Sequence, residues 1–593
     1  MENTINNRVE LLRCYLRDKR LHAFIIPSTD AHMSEYIPEH WAARQWISGF
    51  TGSAGTVVVT LDKAGLWTDS RYFLQAADEL CGSEITLFKD RLPDTISIPD
   101  WLTSQLPSGA RVGIDGNVYP AKDALALQST LGEHGIALVP DFDPFGAIWR
   151  DRPALPKEPV SVLPLELAGE AVRQKVERTL AEAKKHGAEA VWVSTLDTIA
   201  WLFNLRGCDV LYNPVAVAHA FLSREQTLLF MDADKIAPAV AESLRSEGVA
   251  VTGYGEAAAF WAKTRGVRVC LDSGKLAFNL HKAIGEHNRV VDVLSVADML
   301  KSMKNETEIA GFRRVMVRDG VALVKFLMWL EEEAPAGTLT EYDVCLKLKE
   351  LRSRQENFVG ESFHTIAGYA ANGAINHYHP HATGSAAIKP EGLLLVDSGG
   401  QYLDGTTDIT RTVAVGHLTD DMKRDYTLVL KGNINLSRAI FPAGTRGSQV
   451  DMLARKAMWE HGVNYLHGTG HGVGHFLNVH EGPHSIRAEE NPVKLHVGMV
   501  ATNEPGIYRD HRYGVRTENM MLTQRVMTTD FGDFYGFEIL TLCPIDTTPV
   551  VKEMMTAEET AWLNAYHQAV YEKLSPHLQE AEVEWLKHKT TAL

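Results

Sequence analysis

The apolar and polar positions in the N-terminal half of the chain follow the same order twice. An amphipathic segment precedes a short apolar run in NRVELLRCYLRDKRLHAFIIPSTD, from Asn7, and again in QKVERTLAEAKKHGAEAVWVSTLD, from Gln174. Each copy predicts a helix and then a buried strand, at Ala23–Pro27 and at Ala190–Ser194. Further along, GTVVVTLDKAGLWTD resembles VAHAFLSREQTLLFMD, and each predicts an antiparallel pair of strands. We therefore expect two tandem copies of one α/β unit, against the alternative that two α/β stretches align this well by chance.

Two changes in composition predict three domains. The Pro-rich stretch Arg152–Pro164 is typical of a linker, and a second boundary falls near Leu300. The predicted domains are residues 1–152, 160–302 and 303–593, and a chain of 593 residues suggests about three to four domains. Because the first two are α/β units and the third alternates helices with β-hairpins, the predicted fold class is α/β (α+β).

The third domain begins and ends with helical patterns. KSMKNETEIAGFRRVMVRDGVALVKFLMWLEEE has apolar residues near a 3.6-residue period, and its first turn contains Glu306 and Glu308, where the helix dipole favours acids. The tail Thr556–Leu593 also predicts helix and is rich in Trp, Tyr and Leu. One face of this tail should be buried against the body of the protein or against a partner subunit.

Composition argues against several classes of partner. The net charge is −16 and no basic block is present, which disfavours nucleic acid and anionic membranes as partners. The first residues lack the apolar core of a signal peptide, and no apolar run reaches the ~18 residues of a membrane span. The 6 cysteines are scattered without a CxxC motif, which indicates reduced thiols and a cytoplasmic protein.

Asp397 and Asp408 are the first pair of candidate acids. GLLLV predicts a buried strand that ends at Asp397, a turn at Leu403–Gly405 reverses the chain, and TTDITRTVAV returns as a strand. The two acids can therefore lie side by side across a hairpin. Adjacent carboxylates repel each other unless a proton or a metal joins them. The alternative, a pair of solvated turn aspartates, is disfavoured by the β-forming neighbours of Asp408.

Glu504 and Glu518 repeat this arrangement. VATNE predicts a strand that a Pro-Gly pair ends, and YGVRTENMML predicts the returning strand, with Arg516, Glu518 and Met520 on one face. An acid on an apolar face should be buried and paired, and Arg516 is a candidate second-shell partner that orients a carboxylate. An ordinary structural ion pair is the alternative for Arg516.

Four histidines lie in the glycine-rich segment HGTGHGVGHFLNVH. Its alternating glycines disfavour a regular helix and allow close approach of the backbone to a site. We interpret one of the four as a metal ligand and the others as groups around it. The four are His467, His471, His475 and His480.

Three further motifs carry weaker signals. HEGPH at His480–His484 matches the H-E-x-x-H pattern of zinc proteases, but Gly482 and Pro483 disrupt the helix on which that motif depends. GFTGSAG lacks the Lys-Ser/Thr of a phosphate-binding loop and predicts a turn before VVVTL. NHYHP contains His377 and His379, for which the local sequence favours a function and a plain loop equally.

Together the strongest of these residues form a ligand set for hard divalent cations. The set comprises four carboxylates and one imidazole, from Asp397, Asp408, His471, Glu504 and Glu518. Four negative charges in a folded interior are costly, and one divalent ion would leave two of them uncompensated, whereas two ions balance them. The sequence therefore predicts a two-metal site, and such sites usually activate water for hydrolysis.

The motifs also resemble those of the pita-bread metallopeptidases, which include methionine aminopeptidase, prolidase and aminopeptidase P. NHYHP, VDSGGQYLDGTTDITRT, HGTGHGVGHFLNVHEGP, NEPG and GVRTEN follow one another in the order typical of that family. Over essentially its whole length, including FYGFEILTLCPID and AWLNAYH, the chain is similar to the three-domain Xaa-Pro aminopeptidases of the cytosolic type. The resemblance implies two tandem creatinase-like α/β domains followed by a C-terminal pita-bread catalytic domain with a helical extension.

The resemblance further implies a role for each ligand. Asp397 would chelate one metal, Asp408 and Glu518 would bridge both, and the remaining pair, His471 and Glu504, would complete the other. Glu504 is also the expected proton shuttle.

The same resemblance implies contacts with substrate. His377, His467 and His480 match histidines that hold the peptide and help the proline leave. His475 departs from the small residue that relatives often have, and the role of His379 stays open.

The implied reaction releases the first residue from peptides of the form Xaa-Pro-Yaa. A hydroxide that bridges the two metals would attack the peptide carbonyl. Because an Xaa-Pro bond has no N–H, the site must protonate the ring nitrogen, which suits the histidines near Glu504. An oxygen-rich set with one imidazole fits Mn²⁺ best, with Co²⁺, Fe²⁺ or Zn²⁺ as alternatives.

Three alternatives and one assembly accompany this interpretation. Prolidases cleave only dipeptides and have a single N-terminal domain, whereas the internal repeat argues for two. Creatinase has lost the metal ligands, and so should a non-catalytic binding module of this fold, which also carries an acidic tail; the chain retains all five ligands. The resemblance implies a homodimer through the C-terminal domain, which the apolar tail supports.

Overall fold

Two compact units make up the part of the chain that the computed structural model describes, residues 4–593. One unit comprises the residues up to Pro164 together with Glu170–Leu300, and the other comprises Leu165–Gly169 with Lys301–Leu593. The division at Leu300 coincides with the change in composition near that residue.

The first six strands of the chain form one mixed sheet. The strands are β1 (Ala23–Ile26), β2 (Thr56–Thr60), β3 (Ala64–Thr68), β4 (Ile85–Lys89), β5 (Arg111–Ile114) and β6 (Ala137–Val139). The helices of this region are α1 (Thr4–Lys19), α2 (Ala43–Ser48), α3 (Phe73–Glu79), α4 (Ile98–Gln105), α5 (Ala121–Glu133) and α6 (Phe145–Ile148). The sheet order is β4-β3-β2-β1-β5-β6, and β1 is antiparallel to β2 and parallel to β5.

A second sheet follows in the same unit. Its region contains β7 (Ser161–Val162), β8 (Ala190–Val193), β9 (Leu205–Arg206), β10 (His219–Ser223), β11 (Thr227–Phe230), β12 (Val249–Thr252), β13 (Arg268–Leu271) and β14 (Arg289–Asp292). The helices of this stretch of chain are α7 (Leu165–Ala168), which belongs to the other unit, and α8 (Val172–Lys185), α9 (Leu196–Leu202), α10 (Pro238–Ser246), α11 (Ala257–Lys263), α12 (Phe278–Gly285) and α13 (Val296–Ser302). The order is β12-β11-β10-β8-β13-β14, while β7 and β9 pair separately.

The two sheets share one topology, which confirms the predicted tandem repeat. In each, the first long strand lies between an antiparallel hairpin and a parallel pair, and the outermost strand beyond the hairpin is again parallel. The predicted strands at β1 and β8 occupy the equivalent position in the two copies. The first compact unit of the protein therefore contains two copies of one α/β fold.

The strand β1 shows how the apolar pattern specifies a sheet buried on both sides. Phe24 and Ile26 belong to one apolar cluster, whereas Ala23 and Ile25 belong to the cluster on the opposite face. All four are at most 2% exposed. Since each fully buried large apolar side chain contributes about 1.5–3 kcal/mol, the continuous run AFII favours a central strand over an edge strand.

The second unit alternates helices with β-hairpins. Its remaining helices are α14 (Glu306–Glu333), α15 (Glu341–Ser353), α16 (Asp420–Ser437), α17 (Gly447–Trp459), α18 (Ala557–Leu574) and α19 (Glu580–Lys589). Its strands are β15 (Phe358–Glu361), β16 (Ile366–Tyr369), β17 (Leu393–Ser398), β18 (Gly400–Tyr402), β19 (Gly405–Thr406), β20 (Ile409–Ala414), β21 (Phe441–Pro442), β22 (Gly470–Gly472), β23 (Glu481–Ile486), β24 (Val500–Asn503), β25 (Gly506–Arg509), β26 (Tyr513–Arg516), β27 (Asn519–Thr529) and β28 (Gly532–Ile539).

These strands form several small sheets and one larger sheet. The larger sheet has the order β21-β28-β27-β24-β22-β23, and the smaller ones are β16-β17-β20, β15-β18-β19 and β25-β26. Three of these strands, from two sheets, place candidate ligands, because β17 contains Asp397, β22 contains His471 and β27 begins next to Glu518.

Helix α14 begins with a capping box. The Asn305 side chain accepts a hydrogen bond from the backbone of Glu308 at 2.9 Å, and the Glu308 carboxylate accepts one from the backbone of Asn305 at 2.9 Å. This arrangement satisfies two backbone donors at the helix terminus, so the long helix predicted from the apolar period has a defined start.

The tail forms two helices whose apolar residues pack within their own unit. Leu563, Val570 and Leu586 are each 0% exposed and belong to the large core cluster of the second unit, with Trp562 and Trp585 packed against it. Of the two expected locations for the apolar face, the body of the protein is therefore the observed one. This face no longer supports the expected homodimer.

Two properties of the whole chain complete this description. The six cysteines are free thiols, three of them buried. No helix among residues 4–593 combines the length and apolar character that crossing a bilayer requires.

His567 in α18 makes the stability of the second unit depend on pH. Its Nε2 atom accepts a hydrogen bond from the backbone N–H of Ile545 at 3.1 Å, so the folded ring is neutral. Burial, assisted by the nearby Arg411 cation, lowers the pKa of His567 to about 4. Because the unfolded side chain binds its proton near pH 6.5, the unfolding free energy should fall as the pH decreases from about 6.5 to about 4, by about 3 kcal/mol in total.

We therefore predict that His567→Gln, which keeps a hydrogen-bond acceptor but does not titrate, flattens this pH dependence. The measurement is the thermal unfolding midpoint at about pH 7 and about pH 5. His588→Gln, at an exposed position of α19, serves as the matched control and should keep the wild-type difference. An unchanged difference in His567→Gln would show that other groups cause the acid sensitivity.

Candidate metal centre

The β17–β20 hairpin brings the first two candidate acids together. Asp397 lies in β17 directly opposite Thr410 of β20, and Asp408 precedes β20 by one residue. Both side chains are buried, at 7% and 4% exposed. The predicted hairpin across these two acids is therefore the observed arrangement, with β18 and β19 forming the reversal.

The second pair of acids flanks a pairing of β24 with β27. Asn503 of β24 lies opposite Asn519 of β27, and Glu504 and Glu518 are their immediate neighbours. Glu518 Oε2 accepts a hydrogen bond from Thr410 Oγ1 at 2.8 Å. This bond joins the second pair of acids to the hairpin of the first pair.

The predicted single return strand is wrong, since the chain changes sheets within it. Arg516 ends β26, which pairs with β25, whereas Met520 lies in β27, which pairs with β24. The crossing occurs at Thr517 and Glu518, which belong to neither strand. Arg516 and Met520 therefore do not share one strand face: Met520 lies in the apolar core, whereas Arg516 contacts the acids.

His471 presents one ring nitrogen to the acids. Its Nδ1 atom lies 2.9 Å from the carbonyl oxygen of Gly472, which fixes Nδ1 as the donor of the neutral ring. Its Nε2 atom lies 3.4 Å from Asp408 Oδ2 and 3.5 Å from Glu504 Oε1. A neutral ring held in this way leaves Nε2 available as a metal ligand.

The donor set fits a divalent cation. One ligand atom each from Asp408, His471 and Glu518 lie within 4.8 Å of one another. Asp397 Oδ1 is buried and has no hydrogen-bond partner among the described residues. A buried carboxylate oxygen without a donor is costly unless a cation contacts it, and the mixture of oxygen with one imidazole suits Mn²⁺, Fe²⁺, Co²⁺ or Zn²⁺.

The pKa values of the clustered acids and of His471 are shifted in the direction expected for a site with an excess of negative charge. Burial raises the pKa of Asp397, with Arg516 opposing the shift and Asp408 reinforcing it. Burial raises the pKa of Glu504 to about 7, and burial together with the neighbouring carboxylates raises the pKa of Glu518 well above its usual value. The pKa of His471 is raised to about 9, because the attraction of Asp408 and Glu504 outweighs burial. Without cations, the acids retain protons in order to coexist.

Arg516 is the cation that the chain itself supplies. Its Nη2 atom lies 2.6 Å from Asp397 Oδ2, and its Nε atom donates to Thr410 Oγ1 at 3.1 Å. Its Nη1 atom donates to the Tyr508 hydroxyl at 2.7 Å. The side chain is only 3% exposed. Arg516 therefore fixes the orientation of Asp397 through Oδ2, and Oδ1 is left without a hydrogen-bond donor among the described residues.

Tyr508 is a residue of this site that the sequence analysis missed. Its hydroxyl contacts both Arg516 and the Nε2 atom of His467, which lies 2.9 Å away. The only local signal is the position of Tyr508 in the strand that follows the Pro-Gly pair. Its partner His467 lies 41 positions earlier, so no local pattern connects the two residues.

His480 lies beside the candidate ligand His471, with ring centroids 4.3 Å apart and nearly perpendicular planes. The neighbouring Glu481 is buried and forms ion pairs with Lys301, at 2.7 Å, and with Lys304. These lysines are a second feature that the sequence analysis missed. His480 is followed directly by strand β23 and no helix forms at HEGPH, as its Gly and Pro predict, so its two histidines do not form a zinc-protease pair.

The NHYHP loop contacts the candidate metal centre through its first residue, Asn376. The carbonyl of Asn376 accepts a hydrogen bond from Arg516 Nη2 at 3.4 Å, and His377 follows it in the chain. His379 packs edge-on against His364, with ring centroids 4.4 Å apart, and burial lowers its pKa to about 3. His475 is 2% exposed and packs edge-on against Phe312 of α14, so it serves the core of the unit.

Comparison with protein families gives matches along most of the chain. Residues 310–525 match the model of metallopeptidase family M24, and residues 533–593 match the model of its C-terminal region. Residues 8–144 and 151–308 each match a model of the creatinase/prolidase N-terminal domain. The two copies of the α/β unit therefore correspond to two matches of the same kind of domain.

Individual relatives match over nearly their whole length. A probable Xaa-Pro aminopeptidase P of Tuber melanosporum is 40% identical, over 99% of both chains, and Xaa-Pro aminopeptidase 1 of Dictyostelium discoideum is 40% identical over 99% of this chain and 97% of its own. The crystal structure of an X-prolyl aminopeptidase from Caenorhabditis elegans, described as a cytosolic enzyme with a di-nuclear active site, superimposes with a TM-score of 0.96 at 36% identity and covers 100% of both chains. The fold is therefore that of two creatinase-like domains followed by a pita-bread domain.

Divalent cations should stabilise the folded chain through this centre. A cation that binds only the folded state adds about 2.7 kcal/mol at ~100-fold excess over its Kd. We predict that Mn²⁺ raises the thermal unfolding midpoint of the EDTA-treated protein, and that Asp408→Asn abolishes most of this increase. Asp420→Asn, at an exposed acid in the first turn of α16, should keep the full increase. An undiminished increase in Asp408→Asn would place the cation elsewhere.

Proposed function

The chain belongs to metallopeptidase family M24 and is an enzyme of the Xaa-Pro aminopeptidase type, and on that basis we propose that it releases the N-terminal residue from peptides with proline in second position. Two divalent ions, held by the five ligands of the candidate metal centre, would supply the bridging hydroxide that attacks the peptide carbonyl. We assign Asp397 to one ion, Asp408 and Glu518 to both, and His471 with Glu504 to the other.

One observation carries this proposal, namely that three buried carboxylates, the partly buried Glu504 and one imidazole lie around the buried guanidinium of Arg516. Arg516 alters the charge balance that the ligands alone suggest. With one guanidinium beside four carboxylates, two divalent ions would leave one positive charge in excess. A hydroxide between the ions would neutralise it, so the balance with Arg516 fits a hydrolase that holds its nucleophile as an anion.

The protein side chains would manage the protons of the reaction. Glu504 lies 3.5 Å from the ligand nitrogen of His471 and would accept the proton of the attacking water and deliver it to the leaving proline nitrogen. His467 is held by Tyr508 and His480 lies against His471, so both line the surroundings of the centre. We propose that these two histidines, with His377, hold the peptide and help the proline leave.

Specificity for proline would follow from the leaving group. An Xaa-Pro bond is a tertiary amide without an N–H, so a site that binds it must recognise the carbonyl and protonate the ring nitrogen. A histidine-rich wall beside a carboxylate provides such donors. For the metal itself we propose Mn²⁺, because four oxygen ligands and one imidazole suit a hard divalent ion.

The chain retains features that the alternatives lack. Two creatinase-like domains precede the catalytic domain, which differs from the single N-terminal domain expected of a prolidase. The complete ligand set argues against a creatinase or a non-catalytic binding module. Cleavage of longer peptides separates an aminopeptidase from a dipeptidase, and any turnover rejects the binding module.

We also propose a cytoplasmic location and a homodimeric assembly through the catalytic domain. The location is supported by the C. elegans relative, which is described as cytosolic. The assembly rests on the family resemblance, and because the apolar face of α18 and α19 is buried within the chain, the interface must use other surfaces. Sedimentation at the mass of a single chain would reject the homodimer.

The activity can be tested with a pair of peptides that differ in length. We predict release of the first residue from an Xaa-Pro-Yaa tripeptide and from longer peptides of this kind. Treatment with EDTA should abolish the activity and Mn²⁺ should restore it, since the ions supply the nucleophile. Cleavage of the Xaa-Pro dipeptide alone would make the enzyme a prolidase, and no cleavage of either would reject the proposed function.

The role of Glu504 has its own prediction. Glu504→Ala should lower kcat by about 10²- to 10⁴-fold, the usual contribution of a general acid–base group, while thermal unfolding stays cooperative. Glu489→Ala, at an exposed acid between β23 and β24, should keep the wild-type kcat. Full activity in Glu504→Ala would contradict the assignment of the proton shuttle.

A further inference from the structure

A buried carboxylate outside the metal centre binds only neutral groups. Glu341, the first residue of α15, is 0% exposed. It accepts hydrogen bonds from the backbone N–H groups of Tyr369 and Ala386, each at 2.8 Å, from the Tyr378 hydroxyl at 2.8 Å and from the Asn372 amide at 3.0 Å. Among the described residues, no Lys, Arg or His forms an ion pair with it. An unpaired buried anion needs such donors, so these bonds are not incidental to the fold.

The donors to Glu341 define a loop. Tyr369 ends β16, and Ala386 precedes the segment that returns to β17, so their two backbone bonds fasten both ends of the loop to one carboxylate. Asn372 and Tyr378 fasten two points between the ends. Hydrogen bonds to a charged acceptor are worth about 1.5–3 kcal/mol each, which makes this carboxylate a strong restraint on the position of the loop.

The restrained loop is the one that meets the metal centre. Tyr378 directly follows His377, and Asn376 directly precedes it and accepts a hydrogen bond from Arg516 at 3.4 Å. The backbone of His377 is therefore held on one side by Glu341 and on the other by the guanidinium that orients Asp397. A shift of the Glu341 side chain would be transmitted to His377 through a single residue.

We propose that Glu341 is a positioning residue of the active site, whose buried carboxylate sets the placement of the His377 loop against the bound peptide. This inference rests on the proposed function, because the contact of His377 with the peptide is part of that proposal. Glu341 itself takes no part in the reaction. Its effect on turnover passes through the loop.

Glu341→Gln provides a nearly isosteric test. Each carboxylate oxygen accepts at least two hydrogen bonds, so either orientation of the amide places an N–H group against the donors of the loop. A displacement of about 1 Å at a substrate-positioning group can cost up to about 10²-fold, and we expect kcat/KM on an Xaa-Pro-Yaa peptide to fall by about 10- to 100-fold. The content of bound metal should not change, since the ligands keep their positions.

Epistasis with His377 separates positioning from a general structural effect. In a His377→Ala background, Glu341→Gln should cause at most about a 2-fold further loss, because contacting residues of one network are not additive. The fall in kcat/KM caused by Glu341→Gln should also arise from KM and from kcat in the same proportion as the fall caused by His377→Ala. Glu350→Gln, at an exposed acid of the same helix, should leave kcat/KM unchanged both in the wild type and in the His377→Ala background. Tyr378→Phe removes one donor and should show a smaller loss with the same dependence on His377.

Several outcomes would overturn the inference. They are a folded Glu341→Gln enzyme with wild-type kcat/KM, losses that multiply with those of His377→Ala, or a different division between KM and kcat. If Glu341→Gln does not fold, Tyr378→Phe decides by the same comparison. A wild-type chain that cleaves no Xaa-Pro-Yaa peptide would reject the proposed function itself, whereas an active wild type with an unaffected Glu341→Gln would reject only the role of Glu341.

Discussion

The repulsion among the four carboxylates of the candidate metal centre, three of them buried, is the constraint on which the second unit depends. Asp397, Asp408 and Glu518 are each at most 7% exposed, so water cannot screen them. Protons or cations must reduce their repulsion, and burial together with the neighbouring carboxylates raises the pKa of Asp397 and of Glu518, which favours their protonated forms unless cations are bound. A fold that holds these groups together gains nothing from them in stability. The proposed binding of cations, and the chemistry that those cations would permit, account for such a group of acids at one place.

The fold resists this repulsion by joining the two hairpins at their centre. Thr410 links them, because its hydroxyl donates to Glu518 and accepts from Arg516. Behind it, Arg411 donates to the backbone carbonyl of Glu518 at 2.6 Å, so the same short stretch of β20 holds both the side chain and the backbone of that ligand. Consecutive residues of a strand point to opposite faces, which allows Thr410 to serve the metal side while Arg411 serves the core.

The sequence was sufficient for features that depend on neighbouring residues. The chain reversal that brings Asp397 and Asp408 together, the pairing of the strand before Glu504 with the one after Glu518 and the exclusion of a helix at HEGPH all follow from apolar runs and from the conformational limits of Gly and Pro. The sequence was insufficient where the structure depends on which strands pair or which distant side chains meet. The break between Arg516 and Asn519 arises because β26 pairs with β25 while β27 pairs with β24, and no local pattern distinguishes this from one continuous strand. The place of Tyr508 in the site could not be predicted for the same reason, since it depends on contact with His467, which is distant in the sequence.

Arg411 also shows why the C-terminal region cannot be regarded as a separate addition. This buried guanidinium has no carboxylate partner among the described residues, and it is satisfied by neutral acceptors, of which the Cys543 carbonyl at 2.9 Å and the Tyr566 hydroxyl at 2.8 Å come from the C-terminal region. Since an unsatisfied buried cation costs several kcal/mol, losing these acceptors would destabilise Arg411 and, through it, the backbone of Glu518. The helix α18 therefore completes the support of a metal ligand as well as the apolar core. Glu341 and Arg411 act in the same way with opposite charges. Each is a buried charged side chain with neutral hydrogen-bond partners, and each holds in place the segments of chain that supply those partners.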